Sequence, residues 1–137
     1  TYHDSCNLAR NGGLIEEPRY VLKNVVKDFR EMTPNKDEAI CCGGGGGLVA
    51  LAEYAERRIA AGKPKADQIK QTGAKVVVAA CENCRLQIGD INEHYNLNVK
   101  TTAITDLVVR AMRLPKPLPG HEAEYLFEGE GAAIARE

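Results

Sequence analysis

Lys75-Val76-Val77-Val78-Ala79-Ala80-Cys81-Glu82-Asn83-Cys84 is the stretch that decides the fold. Its valines and alanines form a continuous, β-branched apolar run, as expected of a parallel strand buried on both faces. Past Cys81, residues Cys84, Ile88, Ile91 and Tyr95 recur at i, i+4, i+7 and i+11, the stripe of an amphipathic helix. A strand that runs through a Cys-x-x-Cys into a helix is a βα unit with two thiols at its carboxyl end.

The flanking sequence repeats this alternation. Residues 1–3 read as a short strand, and Glu16-Glu17-Pro18 opens a helix, with acids and a proline in its first turn. Pro18, Val21, Leu22, Val25 and Phe29 make that helix's buried face. Residues 28–32 are a short strand candidate, and a turn over residues 33–37 follows. Leu48, Leu51, Ala52, Ala55 and Ile59 predict another helix, broken by Gly62 and Pro64, with a shorter one over residues 65–71. After the Cys84 helix come a strand over residues 96–100 and a last helix over residues 104–112, capped by Thr102 or Thr105. The fold class predicted is α/β: a small, largely parallel sheet flanked by helices, with a metal site at the carboxyl ends of the strands.

The chain has 137 residues, 18 Lys+Arg against 19 Asp+Glu, and a formal charge of −1. That length suits one domain, and 44% hydrophobic with 27% charged residues excludes wholesale disorder. Near-neutral charge gives no reason to expect nucleic acid. No apolar run is long enough for a direct membrane span, and nothing reads as a secretory signal. The folded domain is placed at residues 1–114. Residues 115–137 are Pro- and Glu-rich and read as a flexible tail, carrying a charge of −3 on two basic residues and five Glu. The start at Thr1-Tyr2-His3 suggests a piece of a longer polypeptide.

Five cysteines and 13 glycines, five of them consecutive, are the unusual features. Five thiols cannot all pair internally, and ordinary disulfide geometry is awkward for the neighbours Cys41 and Cys42. The spacing is Cys6, 34 residues, Cys41-Cys42-Gly43, 37 residues, then Cys81-Glu82-Asn83-Cys84. All three groups fall where predicted strands end and helices begin, so an open parallel sheet can gather them at one edge. Helix N-termini there favour thiolates, and Gly43, Gly44 and Gly45 can bring backbone amides close to sulfur. Three chemistries fit. Zinc needs four ligands and leaves Cys6 over; a thioredoxin-like thiol–disulfide oxidoreductase needs only Cys81 and Cys84; an iron–sulfur site can use all five.

Cys6, Cys41-Cys42-Gly43 and Cys81-Glu82-Asn83-Cys84 resemble the CCG cysteine-rich domain of the heterodisulfide reductase B/D subunit family. The resemblance runs from Tyr2 to about Met112, and Ser5 stands where the family's His-Asp-Pro-Cys opening has proline. Asn7-Leu8-Ala9-Arg10, Glu17-Pro18-Arg19-Tyr20 and Arg30-Glu31-Met32-Thr33-Pro34-Asn35 are most similar to the branch that accompanies dissimilatory sulfite reductase in a membrane complex. The resemblance implies a noncubane [4Fe-4S] cluster on Cys6, Cys41, Cys42, Cys81 and Cys84, with zinc as the alternative. It implies reductive cleavage of a disulfide or trisulfide on a heterodisulfide substrate or a small sulfur-carrier protein. It further implies partner iron–sulfur and quinol-oxidising membrane subunits, and a cytoplasmic location at the membrane face.

The remaining polar residues carry weaker expectations. His3 is the one catalytic candidate, able to donate to sulfide or a leaving thiolate, with a role in fixing loop geometry as the commoner alternative. Asp4 is expected in an Asx-turn or as a cap on a backbone amide. Arg10 and Arg85 read as solvated side chains that could attract an anionic partner, and Lys63-Pro64-Lys65 as a solvated turn. His94 and His121 suggest no ligand spacing, and Tyr54 and Tyr95 read as core or rim.

Overall fold

The computed structural model describes residues 1–113. The elements are β1 (Tyr2–His3), α1 (Glu16–Val25), α2 (Ala55–Ala61), α3 (Lys63–Thr72), β2 (Val76–Ala79), α4 (Glu82–His94), β3 (Lys100–Thr102) and α5 (Ile104–Ala111). The three strands form one parallel sheet in the order β1-β2-β3. The α/β class and the parallel sheet are thus as the sequence predicts. The tail over residues 115–137, including His121, lies outside the described residues.

The central strand builds a core on each face because its side chains alternate. Val77 and Ala79 pack with Ala66 and Ile69 of α3, Cys84, Ile88 and Ile91 of α4, and with Met32 and Cys42. Val78 and Val76 face the other way, toward Tyr2, Leu22 and Val25 of α1, and Ile104 and Leu107 of α5. Cys84, Ile88 and Ile91 are therefore the buried stripe that the spacing predicts, and Tyr95 caps its end.

Several local expectations need correction. Residues 28–32 form no strand; Arg30 instead pairs with Asp28, Met32 is buried in one core, and Phe29 packs against the other. The helix expected from Leu48 is two 3-10 segments, Gly46–Ala50 and Ala52–Tyr54, ahead of α2. Leu51 breaks it with extended backbone (φ −109°, ψ 105°) and a side chain 42% exposed. The break expected at Gly62 and Pro64 is present between α2 and α3, but α3 starts at Lys63, with Pro64 in its first turn, where the missing N–H costs nothing. The third strand begins at Lys100, because Asn96 and Asn98 hold left-handed φ values of 51° and 55° that no strand accommodates. Neither threonine supplies the α5 cap as expected. Ala103 is the N-cap, and the Asp106 carboxylate accepts from Ala103 N at 3.1 Å and Thr102 Oγ1 at 2.9 Å.

Candidate metal centre

The parallel register sets His3 of β1 beside Ala79 of β2, so the segments leaving both strands share one edge of the sheet. Cys6 follows His3 by three residues and opens a single π-helical turn, Asn7–Asn11. Cys81 follows Ala79 by two and is the N-cap of α4, with Cys84 in the first turn. Between them, Arg10 donates from Nε to Asp37 O at 2.7 Å and from Nη2 to Ala39 O at 3.0 Å. Arg10 thus ties the Cys6 turn to the strand-like approach to Cys41. Arg85 grips the end of β2, donating to Ala79 O at 3.1 Å and pairing with Glu82. Arg10 is exposed, as the sequence suggests, though held by those carbonyls, whereas Arg85 is half-buried.

Cys42 and Cys84 Sγ lie 3.5 Å apart in the core, and His3 joins them in a buried group whose ligand atoms are all within 4.8 Å of one another. Cys41 and Cys6 are exposed and Cys81 is half-buried, so the cysteines run from the interior to the surface. Gly43 N lies 3.4 Å from Cys41 Sγ, and the Gly44 amide faces Cys42. A Cβ on Gly44 would stand 3.4 Å from Cys42 Sγ. Gly43 (φ +91°) has a second constraint: a Cβ there would meet Gly62 N at 2.6 Å and Arg58 O at 2.9 Å, inside the α2–α3 junction. Gly45 takes a left-handed turn (φ 59°) into the 3-10 segment.

The electrostatics follow from burial and crowding. The Cys41 hydrogen bond favours the Cys42 thiolate, but the Cys84 thiol and burial outweigh it and push Cys42 up to about 11. Cys41 is raised too, first by its hydrogen bond to Cys42 and then by burial. A bound cation reverses this preference, since thiol ligands ionise on coordination. Burial pushes His3 down to about 3, which leaves a neutral imidazole whose Nδ1 is buried without a hydrogen-bond partner. His3, with an unpartnered ring nitrogen, and two buried thiols are a donor set that fits a thiolate-bound metal group.

The surrounding polar groups were harder to foresee. Asp4 does cap an amide, accepting from Lys36 N at 2.7 Å, but it is also bound by both Arg19 Nη atoms at 2.8 Å. Lys65, expected in a solvated turn, is fully buried on α3. Its signal was available: Lys65, Ala66 and Ile69 share a helix face once α3 is started at Lys63. Arg58 and Gln87 form a further buried pair between α2 and α4. His94 is exposed, and Tyr95 donates its hydroxyl to Ile59 O at 3.2 Å, a rim position as expected. Among the described residues no helix is long and apolar enough to cross a membrane.

A parallel sheet whose edge holds His3, Cys42 and Cys84 together, in a chain with an adjacent cysteine pair and a Cys-x-x-Cys, defines a small cysteine-rich α/β domain. The chain belongs to the CCG family, described as a cysteine-rich domain, whose profile matches residues 1–89. It is 34% identical over 118 residues to the "Hdr-like menaquinol oxidoreductase iron-sulfur subunit 2" of Archaeoglobus fulgidus, covering 82% of this chain and 21% of that protein. It is also 34% identical over 116 residues to a subunit of the dihydromethanophenazine:CoB–CoM heterodisulfide reductase of Methanosarcina barkeri, covering 83% of this chain and 28% of that one. A subunit of the CoM/CoB fumarate reductase of Methanothermobacter marburgensis is 37% identical over 111 residues, or 79% of this chain and 22% of that protein. The chain therefore spans under a third of the length of these relatives. No solved structure matches it significantly.

Proposed function

We propose that Cys6, Cys41, Cys42, Cys81 and Cys84 together hold an iron–sulfur cluster, of the noncubane [4Fe-4S] kind. In this reading the domain passes electrons to a disulfide or trisulfide and cleaves it reductively. The observation that carries it is the convergence of His3, Cys42 and Cys84 within 4.8 Å at the carboxyl edge of the sheet. Cys6, Cys41 and Cys81 lie on the turns that lead out from that edge. The names of the Archaeoglobus fulgidus and Methanosarcina barkeri relatives, an iron–sulfur subunit and a heterodisulfide reductase subunit, support the same chemistry.

When bound, the cluster supplies one-electron redox chemistry and a soft surface for sulfur. Cysteine thiolates would anchor it from the buried Cys42 and Cys84 outward. The Gly43 and Gly44 amides, with Gly45 turning the loop, would approach it closely enough to offset negative charge. His3, neutral and fixed, would donate an N–H hydrogen bond toward sulfur rather than deliver a proton as an imidazolium. Breaking a disulfide to its thiols consumes an electron pair and one proton for each sulfur. The electrons would come from iron–sulfur and quinol-oxidising partner subunits at the cytoplasmic face of a membrane, as the word menaquinol in one relative's name suggests. The substrate would be a heterodisulfide or a small sulfur-carrier protein of sulfite reduction.

Anaerobic reconstitution tests this reading. The expected product holds roughly four irons per chain and has broad visible absorption that bleaches with dithionite. Stoichiometric zinc on a colourless protein that resists iron would overturn it in favour of a structural zinc site. That second reading draws on the three-donor His3, Cys42, Cys84 group, which suits a tetrahedral ion. A thioredoxin-like role for Cys81 and Cys84 has less support, because the thiol in contact with Cys84 is Cys42.

A further inference from the structure

Lys65 is buried on the thiol side of the sheet, and among the described residues no carboxylate pairs it. Its side chain is fully enclosed, its Nζ donates to Gln68 Oε1, and it lies 3.5 Å from Met32 Sδ. Among the described residues, no Asp or Glu comes within ion-pair distance of Lys65. A buried ammonium without a counter-ion is costly and is retained where something compensates it. Met32 belongs to the same buried cluster as Cys42 and Cys84, which places the ammonium on the thiol side of the sheet. Burial disfavours the ammonium and brings it down to about 8, while negative charge on Asp4, and then on Cys42, Cys41 and Cys84, favours it. Asp4 is already bound by Arg19 on both oxygens and by Lys36 N. The cysteine set is left as the partner.

We propose that Lys65 is the fixed counter-cation of the cysteine site, a positioning residue that balances the negative charge of the thiolates and the group they hold. The inference rests on the iron–sulfur reading above. Gln68 holds the ammonium in place and is itself anchored, donating Nε2 to Pro34 O at 2.6 Å. A positive charge held in a dry interior favours the more negative, reduced state of a nearby redox centre, and so raises its potential.

The test compares the whole chain with its Lys65→Met, Lys65→Gln and Lys65→Arg variants, each reconstituted anaerobically. Iron content, the midpoint of a mediated redox titration, and urea unfolding of the iron-free chains are measured. Both neutral variants should disfavour reduction by about tenfold, a midpoint about 59 mV more negative for a one-electron couple. Lys65→Arg should stay near the wild-type midpoint. Iron-free Lys65→Met should resist urea better than the wild type, because it no longer buries an unpaired charge. If the wild type loads iron and both neutral variants keep its midpoint, this inference alone falls. If the wild type loads no iron, the iron–sulfur reading falls and takes this inference with it.

Discussion

Arg19 and Asp4, 1% and 4% exposed, form a buried ion pair that is joined on the outside by Glu31. Arg19 donates to both Asp4 oxygens and both Glu31 oxygens, and its guanidinium stands 5.6 Å from the Tyr2 ring. Burial alone would raise the Asp4 carboxyl, but the bonds from Arg19 and the Lys36 amide hold it below the ordinary carboxylate range. Removing one partner leaves the other charged and enclosed, which is worse than removing both. Arg19→Met should therefore cost about 3–5 kcal/mol in urea unfolding. The double variant with Asp4→Asn should cost less than the sum of the two single changes. A simple sum would mean the charges act independently. Of this network only the hold of Asp4 on a backbone amide was legible; Arg19 was not, because its partners lie 15 and 12 residues away. Lys65 differs: its place on the buried face of α3 with Ala66 and Ile69 is legible once the helix is started at Lys63 rather than at Lys65.

At the level of elements, the glycine run separates into positions with different duties. Gly43 has positive φ and backbone atoms where a side chain would go, whereas nothing lies within 4 Å of a Cβ on Gly47. Gly43→Ala should destabilise by about 2–3 kcal/mol, and Gly47→Ala should be neutral or slightly stabilising; equal effects in urea unfolding would contradict this division. The start of α5 carries a second prediction. Hydrogen bonds from the Ala103 amide and then the Thr102 hydroxyl lower the Asp106 carboxyl below its ordinary value. A depressed carboxyl stabilises the fold above the unfolded-state value, and that contribution is lost as pH falls below about 4. Asp106→Ala should cost about 1 kcal/mol at neutral pH and progressively less in acid; a penalty constant down to low pH would refute the cap. Elements with a long period were legible, as β2 and α4 show. The 3-10 segments after Gly45 were not, because Leu48, Leu51, Ala52 and Ala55 keep helical spacing while Leu51 turns outward. Positive φ at Asn96 and Asn98 likewise leaves no trace in an apolar pattern.

Across the whole molecule, the sheet divides the interior into two cores, and only one touches the cysteines. Ile88 is fully buried with Cys42 and Cys84, while Leu22 is fully buried on the opposite face with Tyr2 and Val78. The position of the site was legible as topology, since parallel strands deliver their following loops to one edge. Which core supports it was not, because Val77 and Val78 look alike in sequence yet point to opposite faces. Truncating either Ile88 or Leu22 to alanine should cost a similar 2–5 kcal/mol of stability, on the order seen for buried aliphatic side chains. Their effects on metal loading should differ. Ile88→Ala opens space beneath Cys84 and loosens the anchor of the buried thiols, so iron uptake in anaerobic reconstitution should fall. Leu22→Ala leaves that side packed and should load like the wild type when studied well below its unfolding midpoint. If iron content instead tracks stability alone, with both variants losing it equally, the site depends on the integrity of the whole fold rather than on the α3–α4 core.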